Sequence, residues 1–91
     1  MINNIVLEKN GYKIRHSLKG EYFLLTYYDK TDNEEMKIYV AHWNDTENMR
    51  ELQGTFNEFV YGRATKEQRA ETKETLENYI KNYRLNPIPL N

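Results

Sequence analysis

Two turn signals near the start of the chain constrain its fold more than any other feature. They lie within KNGYKIRHSLKGEYFLLTY, residues 9–27, as Asn10-Gly11 and Lys19-Gly20. Asn-Gly is the strongest short-range signal for a two-residue β-hairpin turn, and glycine at position 20 tolerates the positive φ that a second such turn requires. The sequence therefore predicts three consecutive antiparallel strands whose register is fixed at both turns.

This register predicts one apolar face on the sheet. The first turn places Leu7 opposite Ile14, and the second places Ile14 opposite Leu25, so that paired residues share a face. The face collects Ile5, Leu7, Tyr12, Ile14, Leu18, Phe23, Leu25 and Tyr27. A slip of one residue at either turn would scatter this set, so the two turns support each other.

A fourth strand is predicted in EMKIYVAHW, residues 35–43, after a polar loop over residues 29–35. Pairing Ile38 with Leu25 continues the apolar face into this strand. The predicted core-facing residues are Met36, Ile38 and Val40. The residues predicted to face the other way are Lys37, Tyr39, Ala41 and Trp43.

The hydrophobic period then changes to that of two helices. Asn44 with Glu47 forms a candidate capping box for the first helix, and Gly62 occupies the position of a C-terminal glycine. Gly54 interrupts this helix at a cost of about 1 kcal/mol relative to Ala. Close packing on the sheet is the expected reason for it, with a hinge or the close approach of a partner as the alternative.

The second helix opens at a second capping box, Thr65 with Gln68, and ends before Pro87. The predicted architecture is thus an α+β fold, a four-stranded antiparallel meander followed by two helices packed on one face (ββββαα). At 91 residues the chain is expected to form a single domain, 1–91. The predicted strands cover about 4–9, 12–18, 21–28 and 35–43, the helices about 45–61 and 66–84, and the tail 85–91.

Composition excludes several classes of function. The formal net charge is −1, so no global field attracts nucleic acid or an anionic membrane. The absence of cysteine excludes a disulfide framework, a thiolate metal site and a cysteine nucleophile. The apolar run in MINNIVLEKNGYK is too short for a signal peptide or a membrane span. We therefore expect a cytoplasmic protein, located in the host cytoplasm if a phage encodes it.

No constellation of catalytic residues is readable in the sequence. Ser17 is the only serine and has no recognisable acid–base partner, and no glycine-rich phosphate-binding motif occurs. His16, His42 and Glu21 can be drawn as a metal-binding set, but the predicted register separates the two histidines by one strand and two residues. We expect a non-enzymatic protein with no cofactor and no metal.

The sheet face away from the helices is the predicted binding surface, because it mixes aromatic, aliphatic and cationic residues as protein interfaces do. Its partner-binding residues are predicted to be Lys13, Arg15, Tyr22, Leu24, Tyr39 and Trp43. One alternative is that the C-terminal NPIPLN or the second helix covers part of this face. An alternative binding site is an acidic surface made of Asp29, Asp32, Glu34, Glu35, Asp45, Glu47 and Glu51.

These features predict a small protein-binding module that acts by stoichiometric binding. Short, cysteine-free domains without catalytic residues are typical of phage and mobile-element inhibitors, including anti-CRISPR-like proteins that block a host defence protein. This analogy concerns size and composition alone. The alternatives are a domain that binds single-stranded nucleic acid through the aromatic and basic sheet face, and a small homodimeric regulatory subunit.

Overall fold

The computed structural model describes the backbone of residues 3–85 and the side chains of residues 4–85. The alternative that NPIPLN, residues 86–91, covers part of the outer sheet face lies outside the described residues. The elements are β1 (Asn3–Lys9), β2 (Tyr12–Ser17), β3 (Tyr22–Asp29), β4 (Glu34–His42), α1 (Thr46–Tyr61) and α2 (Lys66–Leu85). The strands form one antiparallel sheet in sequence order. The fold is therefore the predicted α+β arrangement of four strands followed by two helices.

The first hairpin forms as its turn signal predicts. Asn10 and Gly11 both have positive φ, 53° and 85°, as a type I′ turn requires. Lys9 pairs with Tyr12, and Leu7 pairs with Ile14. The Asn-Gly pair thus sets the register of the β1–β2 ladder next to the turn.

The second hairpin has the predicted register but a longer turn. Ser17 pairs with Tyr22, so four residues, 18–21, connect the strands, and the positive φ of 55° falls on Glu21. At Gly20 the constraint is a different one, because a Cβ there would lie 2.6 Å from the ring of Tyr22 and would displace it. The ladder beyond the turn pairs Ile14 with Leu25, as predicted.

The core lies between one face of the sheet and the two helices. Ile14, Phe23 and Leu25 from the central strands are fully buried. They pack against three equally buried helical residues, namely Leu52, Phe56 and Leu76. Burying side chains of this size stabilises the fold by about 1.5–3 kcal/mol each, so the two central strands and both helices share one core.

A β-bulge in β1 changes the face of its first residues. Leu7 pairs with Ile14 but Ile5 pairs with Arg15, so Val6 is the extra residue. The prediction that Ile5 faces the core was wrong, since Ile5 shares a face with Arg15 and is 49% exposed. An extra residue reverses the alternation beyond it.

A second bulge has the same effect in β4. Leu25 pairs with Tyr39 and Thr26 pairs with Lys37, which leaves Ile38 as the extra residue. The predicted pairing of Ile38 with Leu25 was therefore wrong. Between the bulge and the end of the strand the faces are reversed: Ala41 is buried opposite Phe23, and Val40 is 42% exposed. Both bulges are in edge strands, where an extra residue does not disturb a second ladder.

The helix termini partly follow the predicted caps. Asp45, and not Asn44, is the N-cap of α1, since its carboxylate accepts the backbone N–H of Asn48 at 3.1 Å. Gly62 ends α1 with φ of 73°, and its N–H donates to the Glu58 carbonyl. Thr65 caps α2 in the predicted capping box. Among the described residues, no helix is both long and apolar enough to cross a membrane.

Gly54 does not pack against the sheet, contrary to the expectation from the sequence. It is exposed, and a Cβ at this position would meet no atom within 4 Å. The two helices are instead joined by a buried hydrogen bond in which Thr72 Oγ1 donates to Asn57 Oδ1 at 2.7 Å. Close packing therefore does not account for a glycine in the middle of α1.

Candidate partner-binding face of the sheet

The face away from the helices carries a continuous row across all four strands. Ile5 pairs with Arg15, Arg15 with Leu24, and Leu24 with Val40. Ile5 and Val40 are largely exposed and Leu24 is partly exposed. We call this surface the open face. It presents aliphatic side chains from β1, β3 and β4 around one arginine.

The arginine of this row is held in an ion pair across the sheet. Arg15 Nε and Nη2 donate to the two carboxylate oxygens of Glu35 at 2.7 and 3.1 Å, and Thr26 Oγ1 donates to Oε1 at 2.6 Å. The hydrogen bonds from Arg15 and then from Thr26 hold the pKa of Glu35 below its ordinary value. A forked arginine–carboxylate contact fixes both partners, so the centre of the open face is preorganised.

Tyr22 and Lys13 extend the open face in opposite directions from this row. Tyr22 pairs with His42, is 44% exposed, and meets the His42 ring edge to face at a centroid distance of 5.1 Å. Lys13 lies in the row Glu8–Lys13–Thr26–Lys37, and its Nζ is 4.0 Å from a Glu8 oxygen. Four of the six predicted partner-binding residues, Lys13, Arg15, Tyr22 and Leu24, are thus on one face.

Tyr39 and Trp43 are not on the open face, and this part of the prediction was wrong. The bulge at Ile38 turns both toward the helices. Tyr39 Oη lies 3.1 Å from Asn48 Oδ1 and 2.8 Å from Glu51 Oε2 on α1. The hydrogen bond to Glu51 raises the pKa of the Tyr39 phenol.

Trp43 likewise belongs to the helix side. The guanidinium of Arg84 lies 4.6 Å from the centroid of its ring, and the ring of Tyr83 meets it edge-on at 5.9 Å. A cation over an indole face is a favourable electrostatic contact. This tryptophan therefore helps to attach the end of α2 to the sheet.

The acids of the alternative surface have separate structural contacts. Glu35 belongs to the open face, Asp45 caps α1, and Glu51 holds Tyr39. Asp29 accepts the backbone N–H of Thr31 at 2.9 Å. The remaining acids of the set, Asp32, Glu34 and Glu47, are exposed. Because several of these carboxylates already stabilise local structure, the acidic set does not form one unused surface.

A buried histidine network lies on the helix side of the sheet. His16 is fully buried, and its Nδ1 lies 2.8 Å from Tyr79 Oη, which also accepts a hydrogen bond from Asn4 at 3.1 Å. Its Nε2 is buried and has no partner within the described structure. Burial lowers the pKa of His16, and the nearby charge of Glu21 opposes this in part.

The two histidines that could be drawn as metal ligands lie on opposite faces of the sheet. His16 faces the helices, whereas His42 lies beside Tyr22 on the open face and accepts the Asn44 N–H through Nδ1 at 3.1 Å. Side chains on opposite faces of a sheet cannot share one ion. Within the described residues, no group of three histidine or carboxylate side chains is arranged to hold a metal.

No family model, curated protein or solved structure matches this chain.

Proposed function

We propose that this chain is a non-enzymatic module that binds a protein partner stoichiometrically through the open face. The observation that carries the proposal is the row Ile5–Arg15–Leu24–Val40, which crosses all four strands. Its aliphatic ends are exposed, and the helices pack on the other face. Exposed apolar residues around a fixed arginine are typical of the centre of protein interfaces.

A nucleic-acid partner is less well supported by the same geometry. Binding of single strands relies on aromatic rings that stack on bases and on cations that meet phosphates. Tyr39 and Trp43 lie on the helix side, and Arg15 is engaged with Glu35. The open face therefore favours a protein, and the ion pair at its centre favours a partner surface with complementary polar groups.

The specific form of the proposal is an inhibitor that occupies a surface of its target. Size, composition and the absence of readable catalytic motifs support this form, including the phage-encoded, anti-defence version. A homodimer formed through the open face is the alternative, since an isologous contact would bury the same row from both copies. In both forms the residues of the open face contribute most of the binding energy.

Affinity capture from a lysate of the source cell, with quantification by mass spectrometry, tests the proposal. Val40→Lys places a charge in the open face, and Met36→Lys is the matched control, because Met36 is on the same strand, is 54% exposed and shares a face with Tyr27. We expect Val40→Lys to reduce the retained partner about tenfold or more, as loss of an interface anchor does, and Met36→Lys to retain it.

Two results would count against this function. One is equal capture by the wild type and by Val40→Lys. The other is micromolar binding of a single-stranded oligonucleotide that is lost in Lys13→Ala, which would establish the nucleic-acid alternative. Sedimentation of the purified protein distinguishes the homodimer, since a dimer made by the open face should dissociate in Val40→Lys.

A further inference from the structure

A groove of about 480 Å³ separates α1 from α2 on the side of the molecule opposite the open face. Its apolar lining comes from Trp43, Met49, Leu76 and Ile80. Leu76 is fully buried and Met49 nearly so, which means that the floor is recessed between the helices. The volume is within the range of about 300–1,000 Å³ that ligand-binding clefts have.

The groove continues along α2 as a second depression of about 380 Å³, which shares Glu77 and Ile80 with the first and ends at Leu85. Leu85 is 69% exposed. From Lys73 to Leu85 this wall is about 18 Å long at 1.5 Å per helical residue. The groove is thus about as long as three turns of a docked helix.

The charge of the groove differs from that of the whole chain. Two depressions in a protein of net charge −1 are lined by four cations and one carboxylate. The cations are Arg50, Lys73, Lys81 and Arg84, and the carboxylate is that of Glu77. The charged residues of the groove are therefore mostly cations, and they lie beside an apolar floor.

Three of these cations are not used by the fold. Within the described residues, the ion pairs are Lys13–Glu8 and Arg15–Glu35, both on the sheet. The side chains of Arg50, Lys73 and Lys81 make no hydrogen bond or ion pair there. Arg84 lies over Trp43 and donates to Asn44 at 3.4 Å. Cations without an internal partner beside an apolar groove are complementary to an acidic amphipathic ligand.

We propose that this groove docks an acidic amphipathic helix of a partner protein. The docked helix would place apolar residues at helical spacing on the apolar lining of the groove, and carboxylates beside Arg50, Lys73 and Lys81. A lipid surface fits less well, because a planar bilayer does not reach a floor recessed between two helices. The groove shares no lining residue with the open face, so one chain could bind two proteins at once.

A fluorescent peptide of roughly four helical turns tests the proposal. Its leucines are spaced for one helix face and flanked by glutamates, and binding to the full chain is measured by anisotropy. A scrambled peptide of the same composition controls for the apolar pattern. A peptide in which each glutamate is replaced by lysine controls for charge. We expect binding of the acidic peptide at least about tenfold tighter than of either control.

Variants that reverse the charge of the groove provide a second test of the proposal. The double variant Arg50→Glu and Lys73→Glu should weaken peptide binding by about tenfold or more. The double variant Lys19→Glu and Lys30→Glu, made at exposed lysines of the β-turns, should leave the affinity unchanged. Circular dichroism of all variants checks that each is folded, and the wild-type comparison of the three peptides does not depend on any variant.

Several outcomes would overturn the proposal. These are no binding of the acidic peptide, equal binding of the scrambled peptide, or an affinity that does not respond to the reversal in the groove. Binding of vesicles of anionic lipid without binding of the peptide would assign the groove to a membrane. Self-association abolished by the groove variant would make a second copy of the chain the occupant.

Discussion

At the scale of single residues, His16 is the clearest departure from simple burial of apolar groups. The ring lies between Phe23 and Trp43, with centroid distances of 4.9 and 6.0 Å, and contacts Tyr79 and Tyr83 edge-on. Nδ1 lies within hydrogen-bond distance of Tyr79 Oη, whereas Nε2 is buried without a partner among the described residues. Leaving a buried polar atom without a hydrogen-bond partner costs about 1–3 kcal/mol, so the burial of Nε2 lowers the stability of the fold.

The protonation of His16 predicts a pH dependence of stability. Burial lowers its pKa in the folded state below the ordinary value of 6.5. Below pH 6.5 the unfolded chain therefore binds a proton that the folded chain resists, and the free energy of unfolding falls until the pH reaches the folded pKa. The titratable groups near the ring are Glu21, whose charge opposes the shift, and the phenols of Tyr79 and Tyr83, whose rings contact it.

Chemical denaturation between pH 7.5 and 5.5 measures this effect. In His16→Phe the free energy of unfolding should depend much less on pH, whatever the stability of the variant at neutral pH. The reason is that this variant has no imidazole at position 16 to protonate. His42→Gln, on the other face, should keep the slope. A wild-type stability that is constant over this range, or a slope that persists in His16→Phe, would contradict the assignment.

At the scale of elements, Gly54 should weaken α1 without any compensating contact. Its replacement by Ala meets open space and should stabilise the protein by about 1 kcal/mol, which raises Tm by roughly 4–8 °C in a domain of this size. Gly62→Ala is the matched control: it also meets open space, but φ is 73°. Since an L-residue is strained there by about 1–2 kcal/mol, it should lower Tm. Destabilisation by Gly54→Ala would show that this glycine has a structural role.

The hydrogen bond between Thr72 and Asn57 should hold α2 against α1. Thr72→Val removes the donor and leaves the buried Asn57 Oδ1 without its 2.7 Å partner. We expect a loss of about 1–3 kcal/mol in denaturant unfolding. The double variant with Asn57→Leu should cost less than the sum of the single changes. Thr75→Val, at a half-buried threonine of the same helix, should stay within about 0.5 kcal/mol of the wild type.

The sequence predicts the central strands better than the edge strands. The two turns set the pairing of Ile14 with Leu7 and Leu25, and these contacts are confirmed. The bulges at Val6 and Ile38 were missed because no glycine marks them. Each lies in an adjacent apolar pair, Val6-Leu7 or Ile38-Tyr39, in which both residues pack against the core. The signal that was available is a run of consecutive apolar residues, 5–7 or 38–41, that interrupts the alternation in an edge strand.

The errors in the candidate site follow from those bulges. Tyr39 and Trp43 were assigned to the open face because strict alternation was extended past Ile38. The same correction brings Ile5 and Val40 onto that face, so it becomes more aliphatic and less aromatic. The groove between the helices could not be predicted, since its lining residues are separated in sequence and come together only when α2 packs against α1.

At the scale of the whole molecule, the chain is a two-layer slab whose Cα extents are 34 × 33 × 18 Å. The open face and the helix groove lie on opposite sides of the shared core. Val40 is on the outer side of the sheet, while Arg50 and Lys73 are on the helices. Substitutions more than about 7–10 Å apart with no shared partner usually act independently. The two proposed surfaces should therefore be separable by mutation.

Crossing the two sets of variants tests this independence. Val40→Lys should reduce partner capture by the open face and leave the affinity for the acidic peptide within about twofold of the wild type. The double variant Arg50→Glu and Lys73→Glu should weaken peptide binding and leave partner capture unchanged. The variant that combines all three substitutions should lose partner capture as Val40→Lys does and peptide affinity as the double variant does. If Val40→Lys also weakened peptide binding while the protein stayed folded, the two surfaces would be coupled through the core. If the groove variant alone abolished partner capture, the principal interface would be on the helices and not on the sheet.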